Sequence, residues 1–523
     1  MWSYLLASLL VTIGSILIGC SINSTPSIVE KPEPRYDYII VGAGTAGCVL
    51  ASRLSEDVNV SVLLVEAGGH FSWLASVPLA APALQMTEVD WSFKTEPQLY
   101  STQGMYGRQQ YIPRGKGLGG SGELNYQLHS FGRAEDFSGA DWPSDLGWSR
   151  ADMRPYFERA LNAIKPWALV PDPEETPLAQ AMLDARQQIG RHLRPIFSMP
   201  RNTMNKDGTR WSSYRAYLQP ALTRPNLHVL INTIASRVLL DSNNTTEGVE
   251  VRYEDGTREK VEASREVILC AGAIGTPHLL LVSGIGPAAE LALHKITVAR
   301  DLPAVGKNYA DHVNMPVYVT LTEPASITVD KVETLSTVLE YFVYGTGFLA
   351  TNGIMGTARV GDSLVFLAAV GSADEKLLRD LSNYRPETFR NLFPTYNDTA
   401  GEGFILMSSC LQPKSRGRVS LRSANILDPP IVDPAFLRRY EDVACIAKAM
   451  RLGMSIAETT AFRSLGARLH LPKLAECEAL VRDYRNDDFA ECVMRSGALT
   501  GHHPCGTCRI AGSPDQGVVD HEL

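Results

Sequence analysis

One stretch of the chain, residues 36–69, contains all the parts of a unit that binds a dinucleotide. Its sequence, YDYIIVGAGTAGCVLASRLSEDVNVSVLLVEAGG, runs from an apolar strand into a glycine-rich turn, a helical segment and a second apolar strand. Gly42 allows the tight bend, Gly44 lets the backbone approach a pyrophosphate, and Gly47 lets the helix pack on the strand. The unpaired N–H groups at the start of the helix would face the phosphates.

An acidic residue completes this unit. Glu66 ends the second strand, nineteen positions after Gly47, where a carboxylate accepts hydrogen bonds from the adenosine ribose. A glycine-rich turn alone recurs by chance, but here both strands and the acid accompany it. The candidate cofactor-binding residues of the unit are Gly42, Gly44, Thr45, Ala46, Gly47 and Glu66. Because NAD and FAD share this fingerprint, the unit alone leaves the cofactor open.

Further motifs follow in a fixed order along the chain. They are DWSFKTEP at 90–97, PRGKGLGGSGELN at 113–125, SFGRAEDF at 130–137, CAGAIGTPHLLLVSGIGP at 270–287, DLPAVGKN at 301–308 with Asp311-His312 after it, PKSRGR at 413–418 and HPCGTC at 503–508. Together with the opening unit, these motifs resemble the glucose–methanol–choline (GMC) oxidoreductases, which are FAD enzymes that oxidise alcohols. The resemblance covers nearly everything from Tyr36 to the end and is nearest to the arthropod glucose-dehydrogenase-like branch.

The resemblance implies an α/β fold with two lobes. One lobe is a Rossmann-like FAD-binding lobe, and the other is an antiparallel-sheet substrate lobe roofed by helices, as in p-hydroxybenzoate-hydroxylase-like proteins. The expected division is a signal peptide or membrane anchor at 1–22, a linker at 23–35, the FAD-binding region at 36–312, mainly the substrate lobe at 313–494, and the start of the C-terminal catalytic and FAD segment at 495–523. The match is poorest within the substrate lobe, where no strand order can be traced.

The second glycine-rich loop fits a flavin. Its glycines allow the backbone to approach a flat ring system closely. The alternative is a flexible surface loop, but the apolar alternation of Leu124, Tyr126 and Leu128 is unlike a solvated linker. The resemblance implies flavin contacts from Gly119, Gly120, Ser121 and Asn125. Gly122 departs from the family, which usually has a serine or threonine there, and this change is expected to loosen one cofactor contact.

The chemistry is expected at His503. Oxidation of an alcohol needs a base that takes the hydroxyl proton while hydride leaves the carbon, and histidine has a suitable pKa near neutrality. The resemblance implies that His503, in the His-Pro-x-Gly-Thr segment, is this base. The neighbouring His502 is given a packing role.

The same segment contains two cysteines that suggest other kinds of chemistry. Cys505 and Cys508 form half of a zinc-deaminase signature, but none of the eleven histidines has a glutamate two positions later and no second CxxC occurs. We therefore predict no metal site. A redox dithiol at these cysteines and an NAD-linked dehydrogenase remain as alternatives, the latter opposed by the motifs at 113–125 and 270–287.

Composition limits the partners. The chain has 523 residues, 45% apolar and 20% charged, with a net charge of -8. The acidic balance and the absence of a basic stripe exclude nucleic acid as a partner. The expected partners are a small alcohol or sugar substrate and an electron acceptor, either quinone-like or oxygen.

The first residues indicate export. Residues 2–22 are almost continuously apolar and uncharged, which is typical of a secretory signal, although their length also allows an uncleaved membrane anchor. Leu17-Ile18-Gly19-Cys20 also resembles a bacterial lipoprotein site. We expect a secreted protein, or alternatively one anchored through residues 2–22.

In an exported protein, the Asn-x-Ser/Thr sequons are candidate glycosylation sites and the cysteines can form disulfides. Asn23, Asn243, Asn244 and Asn397 begin Asn-x-Ser/Thr triplets in polar sequence, whereas Asn59 is expected to be buried or blocked. The resemblance implies a disulfide between Cys477 and Cys492. Cys48 and Cys270 are expected as buried free thiols.

Local sequence patterns predict the remaining elements of the FAD-binding lobe. Asp255-Gly256 predicts a hairpin turn, residues 266–270 predict a short buried strand, and Thr276-Pro277 is expected to open the following helix.

The end of the sequence also carries an expectation. The resemblance implies that the family continues beyond Asp520 with a strand and a helix that supply a second catalytic His or Asn and further flavin contacts. This sequence stops at Leu523, so we expect an unpaired edge in the Rossmann sheet, weakened FAD binding and impaired catalysis. The alternative function is accordingly a catalytically impaired GMC-like flavoprotein or a non-enzymatic binding protein.

Overall fold

The computed structural model describes residues 26–138, 142–164, 176–189, 195–199, 201–203, 207–372 and 374–523. The segment 1–22 and the sequon at Asn23 lie outside the described residues. The strands are β1 (Arg35–Val41), β2 (Val62–Val65), β3 (Phe93–Lys94), β4 (Tyr111–Ile112), β5 (Leu128–His129), β6 (Ile196–Ser198), β7 (Arg201–Asn202), β8 (Leu227–Leu230), β9 (Thr233–Leu240), β10 (Thr246–Tyr253), β11 (Arg258–Leu269), β12 (Ile285–Gly286), β13 (Arg300–Asp301), β14 (Val313–Thr320), β15 (Ile354–Val360), β16 (Ser363–Ala368), β17 (Gly403–Cys410), β18 (Arg418–Ser420), β19 (Ile431–Asp433), β20 (Arg468–Leu469) and β21 (Leu499–Thr500).

Helices join and cover these strands. They are α1 (Thr45–Leu54), α2 (Ala81–Leu84), α3 (Arg150–Ile164), α4 (Pro177–Ile189), α5 (Gln219–Ala221), α6 (Gly272–Val282), α7 (Ala288–Leu293), α8 (Val329–Val332), α9 (Leu335–Tyr344), α10 (Glu375–Ser382), α11 (Pro386–Leu392), α12 (Tyr440–Ala457), α13 (Thr460–Ser464) and α14 (Asp487–Gly497). Among the described ranges, no helix combines the length and the apolar character needed to cross a bilayer.

The first sheet has the strand order β8-β2-β1-β11-β10-β9. Strand β1 pairs in parallel with β2 and β11, and β2 pairs in parallel with β8. All four residues of β2 are buried, as expected for a parallel strand covered on both faces. The predicted strand, helix, strand and acid of the dinucleotide unit are therefore confirmed as β1, α1, β2 and Glu66.

Strand β11 corrects one prediction. The hairpin at Asp255-Gly256 is confirmed, since β10 and β11 pair antiparallel on either side of it. However, residues 266–270 are not a separate buried strand. They continue β11, which pairs with β10 in its first half and with β1 in its second, and Val267 is only half-buried. Within the described residues, 263–269 pair with no strand on the edge opposite β1, so this edge of the sheet is unpaired.

The second sheet is antiparallel, as predicted for the substrate lobe. Its strand order is β20-β14-β17-β16-β15-β6, with β21 also pairing with β14. Helix α12 packs closely on it: a Cβ on Gly453 would stand only 3.3 Å from the side chains of Leu406 and Val365. Two elements from the region 36–312 belong to this lobe: β6 pairs with β15, and the buried side chains of α4 join its core.

Helix α6 begins earlier than predicted. It starts at Gly272, so Pro277 lies inside the helix instead of opening it. Proline has no N–H for the carbonyl four residues earlier, which is that of Ala273. The hydroxyl of Thr507 donates to this carbonyl instead, at 2.6 Å. A side chain from the segment after His503 therefore allows a proline in the helix interior.

The disulfide between Cys477 and Cys492 is confirmed, and a second one joins Cys410 of β17 to Cys445 of α12. No local pattern in the sequence predicted the second pair. Cys48 is a buried free thiol as predicted, whereas Cys270 is free but only half-buried.

The sequons at Asn243, Asn244 and Asn397 are exposed. The predicted burial of Asn59 is wrong: it is exposed in the turn before β2, where its side chain donates to Asp57 at 3.1 Å.

Candidate active site

The first glycine turn is built against the end of β11. Gly42 has φ +100°, and a Cβ on it would lie 2.6 Å from the carbonyl oxygen of Cys270. A Cβ on Gly47 would overlap with the carbonyl oxygen of Gly42. Both positions therefore need glycine for the turn and helix α1 to pack at all.

The start of α1 is open. A Cβ on Gly44 would meet no atom within 4 Å, and no side chain caps the helix. Thr45 and Ala46 are exposed, and first-turn N–H groups have no partner within a helix. The structure thus leaves a cradle of free N–H groups beside a glycine with space in front of it, which suits a diphosphate.

Glu66 lies beneath this cradle. Its carboxylate is buried and accepts hydrogen bonds from the N–H groups of Ala43 at 2.8 Å and Gly68 at 3.0 Å. Burial raises the pKa of Glu66 to about 7, although these N–H groups oppose the shift. Glu66 directly follows β2, which is the position of the ribose-binding acid in the dinucleotide fingerprint.

The second glycine loop lies directly on the first. The N–H of Gly119 donates to the carbonyl of Ala43 at 2.8 Å, and a Cβ on Gly120 would lie 2.7 Å from the Cα of Gly44. Both Gly119 and Gly120 have positive φ, at 104° and 54°. The two loops, about 75 residues apart in sequence, therefore form one continuous backbone surface.

Hydrogen bonds from neighbouring protein groups hold the polar side chains of this loop in place. The hydroxyl of Ser121 accepts from the N–H of Gly115 at 3.1 Å. Asn125 is exposed, and its Oδ1 accepts from Arg210 at 2.6 Å and from the N–H of Gln127 at 3.1 Å. With this oxygen engaged, the amide Nδ2 of Asn125 is left to donate to a ligand.

One detail of the loop differs from the sequence prediction, and another describes the space around Gly122. Leu124 is buried, but Tyr126 and Leu128 are 40% and 44% exposed, so the apolar alternation does not mark a buried strand. A Cβ on Gly122 would stand 3.2 Å from the hydroxyl oxygen of Thr45. A serine there would need only a small adjustment by this side chain.

The segment carrying His503 is tied to residues 306–311. Ala310 and Cys505 exchange two backbone hydrogen bonds of 2.9 Å, and the N–H of Gly306 donates to Thr507 at 2.9 Å. The N–H of His503 donates to the carboxylate of Asp311 at 2.8 Å.

Asp311 is a buried anchor for this segment. Its carboxylate also accepts from the hydroxyl of Thr500 at 2.6 Å. Burial raises the pKa of Asp311 to about 6, against the effect of these hydrogen bonds.

His503 is set up as a neutral imidazole. The residue keeps exposed surface, yet protein atoms crowd its ring on the other sides. This burial, together with the proximity of the His312 ring and the positive charge of Arg114, lowers the pKa of His503 to about 4. An imidazole that is unprotonated at neutral pH can accept a proton.

His312 is a site residue that sequence reasoning missed. Its Nδ1 lies 2.9 Å from Nδ1 of His503, and its Nε2 lies 3.0 Å from the carbonyl oxygen of Leu411. The motif Asp311-His312 was noted, but only the folded chain brings these two histidines together across 191 positions.

Arg114 connects the second glycine-rich loop, residues 113–125, to the histidines. Its guanidinium donates to the carbonyl of His502 at 3.0 Å, and burial lowers its pKa. His502 has φ +61°, and burial lowers its pKa to about 3. These contacts agree with a packing role for His502 and bring loop 113–125 next to His503.

The two cysteines of this segment lack the features of a redox dithiol. Cys505 and Cys508 are free thiols, and burial raises the pKa of both. A reactive dithiol needs a lowered pKa. Over the part of the chain that the structure describes, no group of three or more His, Cys, Asp or Glu side chains could hold a metal ion.

Comparison with known proteins agrees with this geometry. Models of the GMC oxidoreductase N-terminal and C-terminal domains match residues 36–314 and 413–523. The chain belongs to the GMC oxidoreductase family. It is 35% identical to Neither inactivation nor afterpotential protein G of Drosophila melanogaster, over 96% of this chain and 86% of that protein. It is also 32% identical to Glucose dehydrogenase [FAD, quinone] of the same species, over 94% and 81%.

Solved structures show the same fold. Pyridoxine 4-oxidase from Mesorbium loti matches with a TM-score of 0.74 and 26% identity, covering 93% of this chain and 91% of that one. Formate oxidase from Aspergillus oryzae matches with a TM-score of 0.78 at 22% identity, covering 94% and 92%. The GMC fold prediction is therefore confirmed.

The cofactor of this GMC oxidoreductase is FAD, and the residues present fit it. The open start of α1 and the space in front of Gly44 suit the diphosphate, and Glu66 lies at the ribose position of the fingerprint. The backbone surface of Gly119 and Gly120 adjoins them.

Proposed function

We propose that this GMC oxidoreductase oxidises the CH–OH group of a small alcohol or sugar, with His503 as the base. The observation that supports the proposal is the contact of Arg114, in the second glycine-rich loop, with the backbone of His502, because it brings this loop, which we propose to contact the flavin, next to His503. The candidate residues for FAD remain Gly42, Gly44, Thr45, Ala46, Gly47, Glu66, Gly119, Gly120, Ser121 and Asn125.

The proposed chemistry assigns one task to each part of the site. Bound FAD would supply the acceptor for the hydride of the carbinol carbon. Nε2 of His503 takes the hydroxyl proton, and the O–H electron pair forms the second bond of the carbonyl as the hydride leaves. Asp311 fixes the backbone of His503 at 2.8 Å, so that the ring stands ready without further ordering.

The relatives support the choice of substrate and acceptor. Their names include Glucose dehydrogenase [FAD, quinone] and, from Pseudomonas putida at 32% identity, Alcohol dehydrogenase [acceptor]. We propose a sugar or alcohol as the electron donor and a quinone-like compound or oxygen as the acceptor.

A panel of alcohols and sugars tests this function. The purified holoenzyme is mixed anaerobically with each compound, and bleaching of the flavin absorbance is followed. A substrate should bleach the flavin, and addition of a quinone or oxygen should restore the colour. Retained FAD that no compound bleaches would contradict the proposal and favour the impaired flavoprotein or binding protein.

We also propose that the protein is exported, either secreted or anchored through residues 2–22. Two disulfides support this location, since they form and persist in oxidising compartments. Expression in insect cells with glycosidase treatment tests it: a mass shift that Asn243→Gln or Asn397→Gln reduces is expected. An unglycosylated protein in the cytosolic fraction would contradict export.

A further inference from the structure

His312 is held between two partners of different kinds. On one side its Nε2 faces the backbone carbonyl of Leu411 at 3.0 Å, and on the other its Nδ1 faces Nδ1 of His503 at 2.9 Å. The two rings are nearly perpendicular, with an interplanar angle of 87°. Only one of these partners, the carbonyl, has a fixed hydrogen-bonding role.

The carbonyl of Leu411 determines which nitrogens of the two histidine rings carry a hydrogen. A carbonyl oxygen can only accept, so Nε2 of His312 must carry a hydrogen. In the neutral ring of His312, Nδ1 then has a lone pair and must accept from its own partner. Nδ1 of His503 is therefore the donor, and in a neutral His503 the other nitrogen, Nε2, carries no hydrogen.

We propose that His312 is a positioning residue, which holds His503 in the tautomer whose Nε2 is free to accept the substrate proton. This inference rests on the proposed function, in which His503 is the base. It explains why Nε2 is the basic nitrogen of His503 and what holds the ring in its orientation.

The support for this pair comes from the substrate lobe. Leu411 directly follows β17, its N–H donates to the carbonyl of Asp362 at 2.9 Å, and the preceding Cys410 is tied to α12 by a disulfide. The carbonyl that orients His312 therefore belongs to a well-fixed backbone. The charged and titratable groups that face the pair are Arg114, Asp311 and His502.

Kinetics of three variants test the proposal. His312→Leu removes both hydrogen bonds, whereas His312→Asn keeps an acceptor near the position of Nδ1. His470→Leu is the matched control, because it removes a comparable imidazole bond to a backbone carbonyl, that of Asn391 at 2.6 Å, away from the site. We expect kcat/KM to fall roughly 100-fold in His312→Leu, to be largely retained in His312→Asn, and to be unchanged in His470→Leu.

A spectroscopic test needs no activity. Nitrogen NMR of the ¹⁵N-histidine-labelled protein without FAD distinguishes a protonated ring nitrogen from a bare one, and His503→Gln assigns the signals. We expect Nδ1 of His503 to be protonated in the wild type and in His312→Asn. In His312→Leu the signals should shift toward a mixture of both tautomers.

The outcomes separate this inference from the proposed function. Wild-type protein that binds FAD without oxidising any substrate would overturn the proposed function, while the NMR test of the pair would still stand. A wild-type enzyme whose His312→Leu variant keeps both its kcat/KM and the Nδ1-protonated tautomer of His503 would overturn the role of His312. Equal tautomer populations in the wild type would overturn it as well.

Discussion

At the scale of single residues, two glycines three positions apart in the first turn do different work. Gly47 has no room for a side chain, because a Cβ there would overlap with the carbonyl of Gly42. Gly44 has no protein atom within 4 Å of its would-be Cβ and a φ of -74°, which any residue can adopt. Gly47 is needed by the fold, whereas Gly44 is needed by the ligand.

This difference predicts opposite phenotypes. Gly44→Ala should leave the unfolding free energy of the FAD-free protein nearly unchanged but weaken FAD binding by about 1–3 kcal/mol, roughly 5- to 150-fold in affinity, because its methyl group obstructs the diphosphate. Gly47→Ala should destabilise the FAD-free protein itself by about 3 kcal/mol or more. Urea unfolding and fluorescence titration with FAD measure the two effects. Normal FAD affinity in Gly44→Ala would contradict this assignment.

Glu66 predicts a pH dependence of stability. Its pKa is raised by burial to about 7 in the folded chain, from 4.5. The folded state therefore binds a proton that the unfolded state releases, so this stabilisation is present below pH 4.5 and is lost as pH rises through 7. The loss should be on the order of 3 kcal/mol.

Urea unfolding of the FAD-free protein between pH 4 and 8 measures this loss, in a range set by the shift of Glu66. Glu66→Gln should lack this loss, so the difference in unfolding free energy between wild type and variant should change by that amount across the range. The contribution of Asp311, which falls as pH rises, and those of His502 and His503, which grow, are common to both proteins. Identical pH profiles for the variant and the wild type would contradict the prediction.

The limits of sequence reasoning are visible at this scale. The glycines and Glu66 were found because their roles depend on local spacing. The role of His312 depends on Leu411 and His503, 99 and 191 positions away, and no local pattern encodes such contacts. Asn59 was misjudged because burial begins only at Val60, one residue further on.

At the scale of elements, α6 shows how two distant segments depend on each other. Pro277 leaves the carbonyl of Ala273 without a helical partner, and the buried hydroxyl of Thr507 supplies one. Sequence rules favour a proline in the first turn of a helix and therefore predicted a start near Pro277. The helix starts at Gly272 instead, and the hydroxyl that makes this possible lies 234 positions away from Ala273.

A double-mutant cycle tests this dependence. Thr507→Val should destabilise the protein by about 1–3 kcal/mol, because it leaves a buried carbonyl unpaired. In a Pro277→Ala background the restored N–H can bond to that carbonyl, and the cost should shrink. Thr459→Val, which removes a buried hydroxyl bonded to Ile456 at 2.8 Å, is the control whose cost should not depend on residue 277. An equal cost for Thr507→Val in both backgrounds would contradict the coupling.

The elements of the substrate lobe were the least predictable. Its antiparallel character followed from the resemblance, but the pairing of β6 with β15 joins residues near 197 to residues near 358. The disulfide between Cys410 and Cys445 likewise depends on α12 lying over β17. Such pairings are set by packing between segments and not by the period of either one.

At the scale of the whole molecule, the site depends on both lobes. The first glycine turn and Glu66 follow β1 and β2 of the first sheet, and the second glycine loop lies against that turn, whereas Leu411 follows a strand of the second sheet. The segment around His503 connects them, since Thr507 contacts α6 and Thr500 pairs with β14. We therefore expect separated lobes to lack activity even where each one folds.

The central claim is that FAD and His503 act together in alcohol oxidation. The most direct measurement is anaerobic stopped-flow reduction of the holoenzyme by its best substrate, comparing wild type, His503→Ala and the His470→Leu control. We predict equal FAD content in all three and reduction slowed by roughly 10²- to 10⁴-fold in His503→Ala alone. Reduction of His503→Ala at the wild-type rate would show that another group is the base and would contradict the account.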